Sequence, residues 1–181
     1  AGALLFVFAV LARAYAWDEA LLVVVALLGG CAPPPGAALR DISVPIRSAA
    51  VFDPARLAGT WTQTARATTP GAAPCTGGAL TFVPAGGALG VSGRVCLAGG
   101  ARRLDGPVRP VGPGRIALAG LDEPWWVLWV DEGYRTLAIG TPSGRQALIL
   151  ERGTSPAPDR DRAAREVLEW NGYGRGVLRP D

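Results

Sequence analysis

The stretch Phe52-Asp53-Pro54-Ala55-Arg56-Leu57-Ala58-Gly59-Thr60-Trp61-Thr62-Gln63-Thr64-Ala65-Arg66 sets the reading of the chain. A glycine two residues before a tryptophan stands at the head of the first extended segment. Beyond it, apolar and polar residues alternate with the period of strands that bury one face. Gly and Pro punctuate the pattern every 8–12 residues or so, as in a sandwich or barrel. The expected strands are Gly59–Ala67, Ala79–Val83, Ala88–Cys96, Arg102–Val108, Arg115–Ala119, Trp125–Asp131, Tyr134–Thr141 and Gln146–Arg152. The short connections Pro84-Ala85-Gly86-Gly87, Asp131-Glu132-Gly133 and Pro142-Ser143-Gly144 make successive strands antiparallel neighbours. Hairpins in series give an all-β, eight-stranded antiparallel up-and-down β-barrel, a size that encloses one small ligand. A C-terminal α-helix follows. Pro158-Asp159 opens it, Ala163, Val167, Leu168 and Trp170 give it an apolar stripe, and Asn171-Gly172 ends it. Its only available support is the outside of the barrel.

Composition excludes whole classes of mechanism. All 18 basic residues among the 181 are arginine, and there is no lysine, histidine or methionine. The chain therefore offers no imidazole for a nucleophilic triad or a zinc site, and no lysine for a Schiff base or phosphate loop. The formal charge of +3 comes from scattered arginines, with Arg102-Arg103 the only adjacent pair. That is a mildly basic, solvated surface and not a nucleic-acid site. Gly77-Gly78, Gly86-Gly87 and Gly99-Gly100 lack a following Lys-Ser/Thr and read as hairpin turns. Neither a cofactor, a metal nor an enzymatic activity is expected.

From Phe52 to about Gly172 the chain resembles the bacterial lipocalins of the outer-membrane lipoprotein kind. Gly59 and Trp61 fall at the first motif of that family, Val130-Asp131-Glu132-Gly133-Tyr134-Arg135 at the second, and Arg152 at the third. The resemblance implies that Arg152 lies across Trp61 and that Gly59, Trp61, Asp131, Tyr134 and Arg152 close one end of the barrel. A guanidinium on an indole contributes about 0.5–2 kcal/mol. These residues are structural and no catalytic role is given to them.

Residues 1–30 are almost wholly apolar and lead to Leu28-Gly29-Gly30-Cys31. This resembles a bacterial lipoprotein signal, which implies that Cys31 becomes the N-terminus, carries diacylglycerol on sulfur plus an amide-linked chain, and is held at the outer membrane facing the periplasm. An uncleaved anchor helix with Cys31 as a passive thiol is the alternative. Pro33 to Val51 is Pro- and Ala-rich, so residues 31–51 are expected to form a flexible tether and 52–181 the folded domain. If Cys31 is lipidated, Cys75 and Cys96 remain as a pair in an oxidising compartment, where a disulfide would staple parts of one sheet.

With Arg152 directed at Trp61, strand parity turns Gln146, Leu148 and Leu150 inward. The strand from Trp125 is apolar on both faces. The reading adopted turns Trp125, Val127 and Trp129 inward, places Trp126 and Leu128 under the helix, and lets the next strand offer Thr136 and Ala138. Indoles, aliphatics and one amide suit an apolar or amphipathic guest. The family resemblance makes fatty acids and lysophospholipids the first to test, in storage, transport or repair. Two alternatives stand beside it: a barrel filled by its own side chains in a structural envelope lipoprotein, and a small-molecule isomerase. The oligomeric state is left open.

Overall fold

The computed structural model describes residues 38–153 and 157–181. Among the described residues nine strands form one sheet: β1 Gly59–Ala67, β2 Ala79–Ala85, β3 Ala88–Leu97, β4 Gly100–Gly112, β5 Arg115–Leu118, β6 Trp125–Val130, β7 Thr136–Gly140, β8 Ala147–Glu151 and β9 Leu178–Pro180. Every neighbouring pair from β2 to β8 is antiparallel and consecutive. β1 then pairs with β8 on one side and β2 on the other, so the first eight strands close into a barrel. Helix α1, Pro158–Trp170, follows. It is seated by Ala164 and Leu168 against the outer face of β6, β7 and β8.

All eight expected strands form; β1 keeps its expected bounds and the others shift at one or both ends. β4 is longer than its alternation suggests, and β6, β7 and β8 are each shorter. The strand β9 lies outside the sequence reading. It pairs with the far end of β1, placing Leu178 opposite Ala67 and Pro180 opposite Ala65. It occupies the side of β1 that β2 leaves free, since β2 pairs only with Gly59–Thr62.

Two apolar clusters follow from strand alternation. The inner one fills the barrel and includes Trp61, Phe82, Leu104, Trp125, Leu148 and Leu150. The outer one joins Leu128, Ala138, Ile149, Ala164, Leu168 and Tyr173 between sheet and helix. Trp170, expected on the apolar stripe, is mostly exposed. The helix turns Ala164 and Leu168 to the barrel, and Trp170 lies off that line.

Residues 38–51 correct the expected tether. Leu39 donates its N–H to Gly144 O at 2.8 Å, Asp41 to Gly172 O at 2.9 Å and Ala49 to Val127 O at 2.8 Å. Arg40 is buried and reaches Val44 O, Asn171 O and Pro142 O. Spaced polar contacts with two turns hold this segment as part of the domain, although its composition is that of a linker. The signal-like segment 1–30 and Cys31 lie outside the described residues. No described helix is long and apolar enough to cross a membrane.

Candidate ligand-binding site

One end of the barrel is closed by interlocking side chains. Gly59 has φ +116°, and a Cβ there would stand 2.5 Å from Arg152 Nη1, so the strand opens on the one residue that admits the guanidinium. Arg152 lies over Trp61, with Cζ 4.4 Å from the ring centroid. Its Nε donates to Tyr134 O at 2.7 Å and its Nη2 to Arg56 O at 2.6 Å. Trp61 is fully buried and donates Nε1–H to Leu57 O at 2.8 Å. Burial lowers the Arg152 pKa, but an arginine stays charged throughout the working range.

The β6–β7 turn completes this end. Tyr134 takes the left-handed φ of 51°, its hydroxyl accepts the Asp53 N–H at 2.7 Å, and Arg56 Cζ lies 3.7 Å over its ring. Asp131 Oδ1 accepts the N–H groups of Arg135 and Thr136 at 2.5 and 2.6 Å. Burial alone would raise this carboxyl, but those backbone donors and the Arg135 side chain outweigh it and hold the pKa below the ordinary value. The residues named for the seal are therefore brought together.

The opposite end is built differently. β2 begins at Ala79, so upper β1 faces β3 across a gap. Gln63 spans it: Nε2 donates to Cys96 O at 2.7 Å, and Oε1 accepts Cys96 N–H at 2.8 Å. The side-chain amide thus does the pairing of a missing strand's peptide group. Arg66 extends this seam, with Nη1 on Leu97 O and Nη2 on Ala73 O, both at 3.1 Å. The Cys75–Cys96 disulfide fastens the β1–β2 loop to β3. Arg66 Nε is 3.3 Å from Asp181 Oδ1. Both Asp181 carboxylate oxygens and the Thr64 hydroxyl are buried without a hydrogen-bond donor or acceptor. Burial pushes the Asp181 pKa up to about 6, against the pull of Arg66. A Cβ at Gly78 would collide with the Gln63 side chain, so a glycine at that position leaves room for the bridge.

The expected lining residues divide. Trp125, Val127, Leu148 and Leu150 belong to the inner cluster, and Trp125 Nε1 donates to Gln146 Oε1 at 3.2 Å. Trp129, Thr136 and Ala138 do not face inward. The β6–β7 register shifts between Val127 and Trp129, so Leu128 is an extra residue and the faces exchange beyond it. Trp129 then opposes Ala138 on the outer face, while Val130, Leu137 and Ile139 turn to the interior. Thr136 donates to Glu151 Oε1 at 2.6 Å and accepts from Arg160 Nε at 2.8 Å, tying α1 to the sheet. Burial raises the Glu151 pKa above the usual carboxylate value.

The inner cluster is tightly filled. Trp61, Leu104, Trp125, Val127, Leu148 and Leu150 have no exposed surface, so no water-sized space adjoins them. A surface groove of about 410 Å³ lies elsewhere, along β2, β3 and β4, and none of the expected lining residues borders it. Among the described residues no group of acids and cysteines could hold a metal ion.

The closed eight-stranded antiparallel barrel with one C-terminal helix is the lipocalin fold. Solved structures share it. The cockroach allergen Per a 4 aligns with a TM-score of 0.57 at 16% identity, over 77% of this chain and 94% of its own. Insecticyanin from the tobacco hornworm Manduca sexta aligns with a TM-score of 0.56 at 13% identity, over 76% and 84%. Apocrustacyanin C1 gives 0.53 at 15% identity, over 76% and 88%. At these identities the likeness is one of fold. No family model and no curated protein matches the sequence.

Proposed function

We propose that this barrel is a binding module for one small hydrophobic or amphipathic molecule, of the fatty-acid or lysophospholipid class, held at a bacterial outer membrane through acylated Cys31. The observation that carries the binding reading is the asymmetry of the barrel. Its interior is apolar, one end is locked by Trp61 and Arg152, and the other carries the indole of Trp125 with the amide of Gln146. Apolar walls with few fixed polar groups select a guest by hydrophobic burial and orient it by one hydrogen bond. No reaction is assigned. Delipidated protein should take up a fluorescent fatty-acid analogue and release it to lysophospholipid. No uptake, and no displacement by any lipid at micromolar levels, would sink the reading.

A second reading has its own support. The complete burial of Trp125, Val127 and Leu148 suits a barrel filled by its own side chains, acting as a structural envelope protein. On the binding reading these side chains move when a guest enters. A Trp125→Ala variant separates the two. A binding barrel with that indole removed changes its ligand affinity, whereas a filled barrel only loses stability.

A further inference from the structure

The helix α1 ends in a tryptophan that the barrel leaves uncovered. Trp170 is 74% exposed, and Ile42 is 67% exposed. The chain brings their neighbourhoods together. Asp41 N–H donates to Gly172 O at 2.9 Å, and Arg47 N–H donates to Asn171 Oδ1 at 2.8 Å. Gly172 has φ +92°, and a Cβ there would lie 2.7 Å from Asp41 O, so the two segments touch at backbone distance. Exposed charges of both signs border the spot, Arg47 and Arg175 with Asp41 and Glu166. Arg47 makes no ion pair among the described residues, and Arg175 pairs with Glu169 at 2.8 Å.

This surface lies where the described chain begins. Leu39 N–H bonds Gly144 O at 2.8 Å and Arg40 Nη2 bonds Pro142 O at 3.0 Å, both on the β7–β8 turn, at the end away from the Trp61–Arg152 seal. Cys31 precedes Ala38 by seven positions, with Pro33-Pro34-Pro35 among them. An extended chain spans at most about 3.3–3.6 Å per residue, so Cys31 can lie no farther than about 25 Å from Ala38.

We infer that Trp170 and Ile42, with Arg47 at their margin, form a docking surface for a phospholipid bilayer, so that the β7–β8 end of the barrel faces the membrane. This rests on the reading of Cys31 as a membrane anchor. An indole places its apolar body among acyl chains and its N–H at the headgroup level, and the Arg47 guanidinium at the margin meets a phosphate oxygen. A lipid guest then passes between bilayer and barrel at the end that carries Trp125 and Gln146, without crossing the sealed end.

The test uses the full chain with acylated Cys31, reconstituted in phosphatidylcholine–phosphatidylglycerol vesicles that contain a headgroup spin-labelled lipid. Trp170→Cys and, at the sealed end, Glu132→Cys each receive an environment-sensitive fluorophore. The acylated Cys31 and the Cys75–Cys96 disulfide leave only the new thiol to react. The expected result is several-fold stronger quenching and a blue-shifted emission at position 170, with position 132 behaving as in water. Equal weak quenching at both, or stronger quenching at 132, overturns the docking surface while leaving the anchor in place. A chain with unmodified Cys31 that fails to float with the vesicles removes the anchor and this proposal together.

Discussion

The two ends of the barrel are held together by different physics. At the Trp61 end, one buried indole, one guanidinium and the β6–β7 turn satisfy one another through backbone carbonyls, so each group is fixed by several partners. At the other end, β1 and β3 meet through the Gln63 amide, the Arg66 guanidinium and a disulfide. That seam also includes a buried carboxylate with no hydrogen-bond donor. The first arrangement is over-determined and resists opening. The second has few parallel supports, and local opening is expected where such supports are few.

The comparison can be broken most severely at the sealed end. Trp61→Ala should cost about 3–5 kcal/mol of unfolding free energy, the usual loss for a large buried aromatic, measured by urea denaturation. A loss below about 1 kcal/mol would mean that the seal contributes little. Next is the disulfide, whose cysteines are 21 residues apart. Reduction, or joint Cys75→Ser and Cys96→Ser replacement, should cost about 3 kcal/mol in the loop-closure account. The loss should be concentrated as faster hydrogen exchange in upper β1 and β3, with the β6–β7 turn still protected.

A smaller effect is expected at Gln63. Gln63→Ala leaves the Cys96 N–H and C=O without partners, a loss of about 2 kcal/mol. Thr62→Ala, on the other face of the same strand, should stay within about 0.5 kcal/mol. Equal effects from the two variants would remove the seam from the account.

The smallest effect concerns pH. The Asp181 carboxyl has a folded pKa of about 6, above its ordinary value, so the folded state holds the proton more tightly than the unfolded chain. Stability from this group therefore rises as pH falls through about 6, by about 1 kcal/mol between neutral pH and pH 5.5. Asp131 is shifted the opposite way, so its contribution is present above the ordinary carboxylate value and is lost only in stronger acid. Asp181→Asn should flatten the rise in melting temperature between pH 7.5 and 5.5. An unchanged slope would show that Asp181 is solvated.

How much of this was legible follows from where the information is local. Gly59, Trp61, Tyr134 and Arg152 form the seal because each is required by a nearby turn or a close approach, and such requirements leave fixed residue types at fixed spacing. The strands were legible from alternation, and so were Trp125, Val127, Leu148 and Leu150. Trp129, Thr136 and Ala138 were misplaced because one extra residue at Leu128 exchanges the faces of β6. A strand apolar on both sides gives no sign of that shift. Residues 38–51 read as a linker because their hold on the domain comes from backbone hydrogen bonds to distant turns, which composition does not encode. Strand β9 and the Gln63–Cys96 bridge were invisible for the same reason: both depend on where β2 leaves β1.

The central claim, an apolar guest in a barrel beside a membrane, is tested most directly by native mass spectrometry of the protein extracted from membranes in mild detergent. The expected species is a chain beginning at Cys31, with diacylglycerol on sulfur and an amide-linked acyl chain, and one lipid bound per protein. A chain with unmodified Cys31 and no lipid retained under conditions that preserve the fold would contradict it.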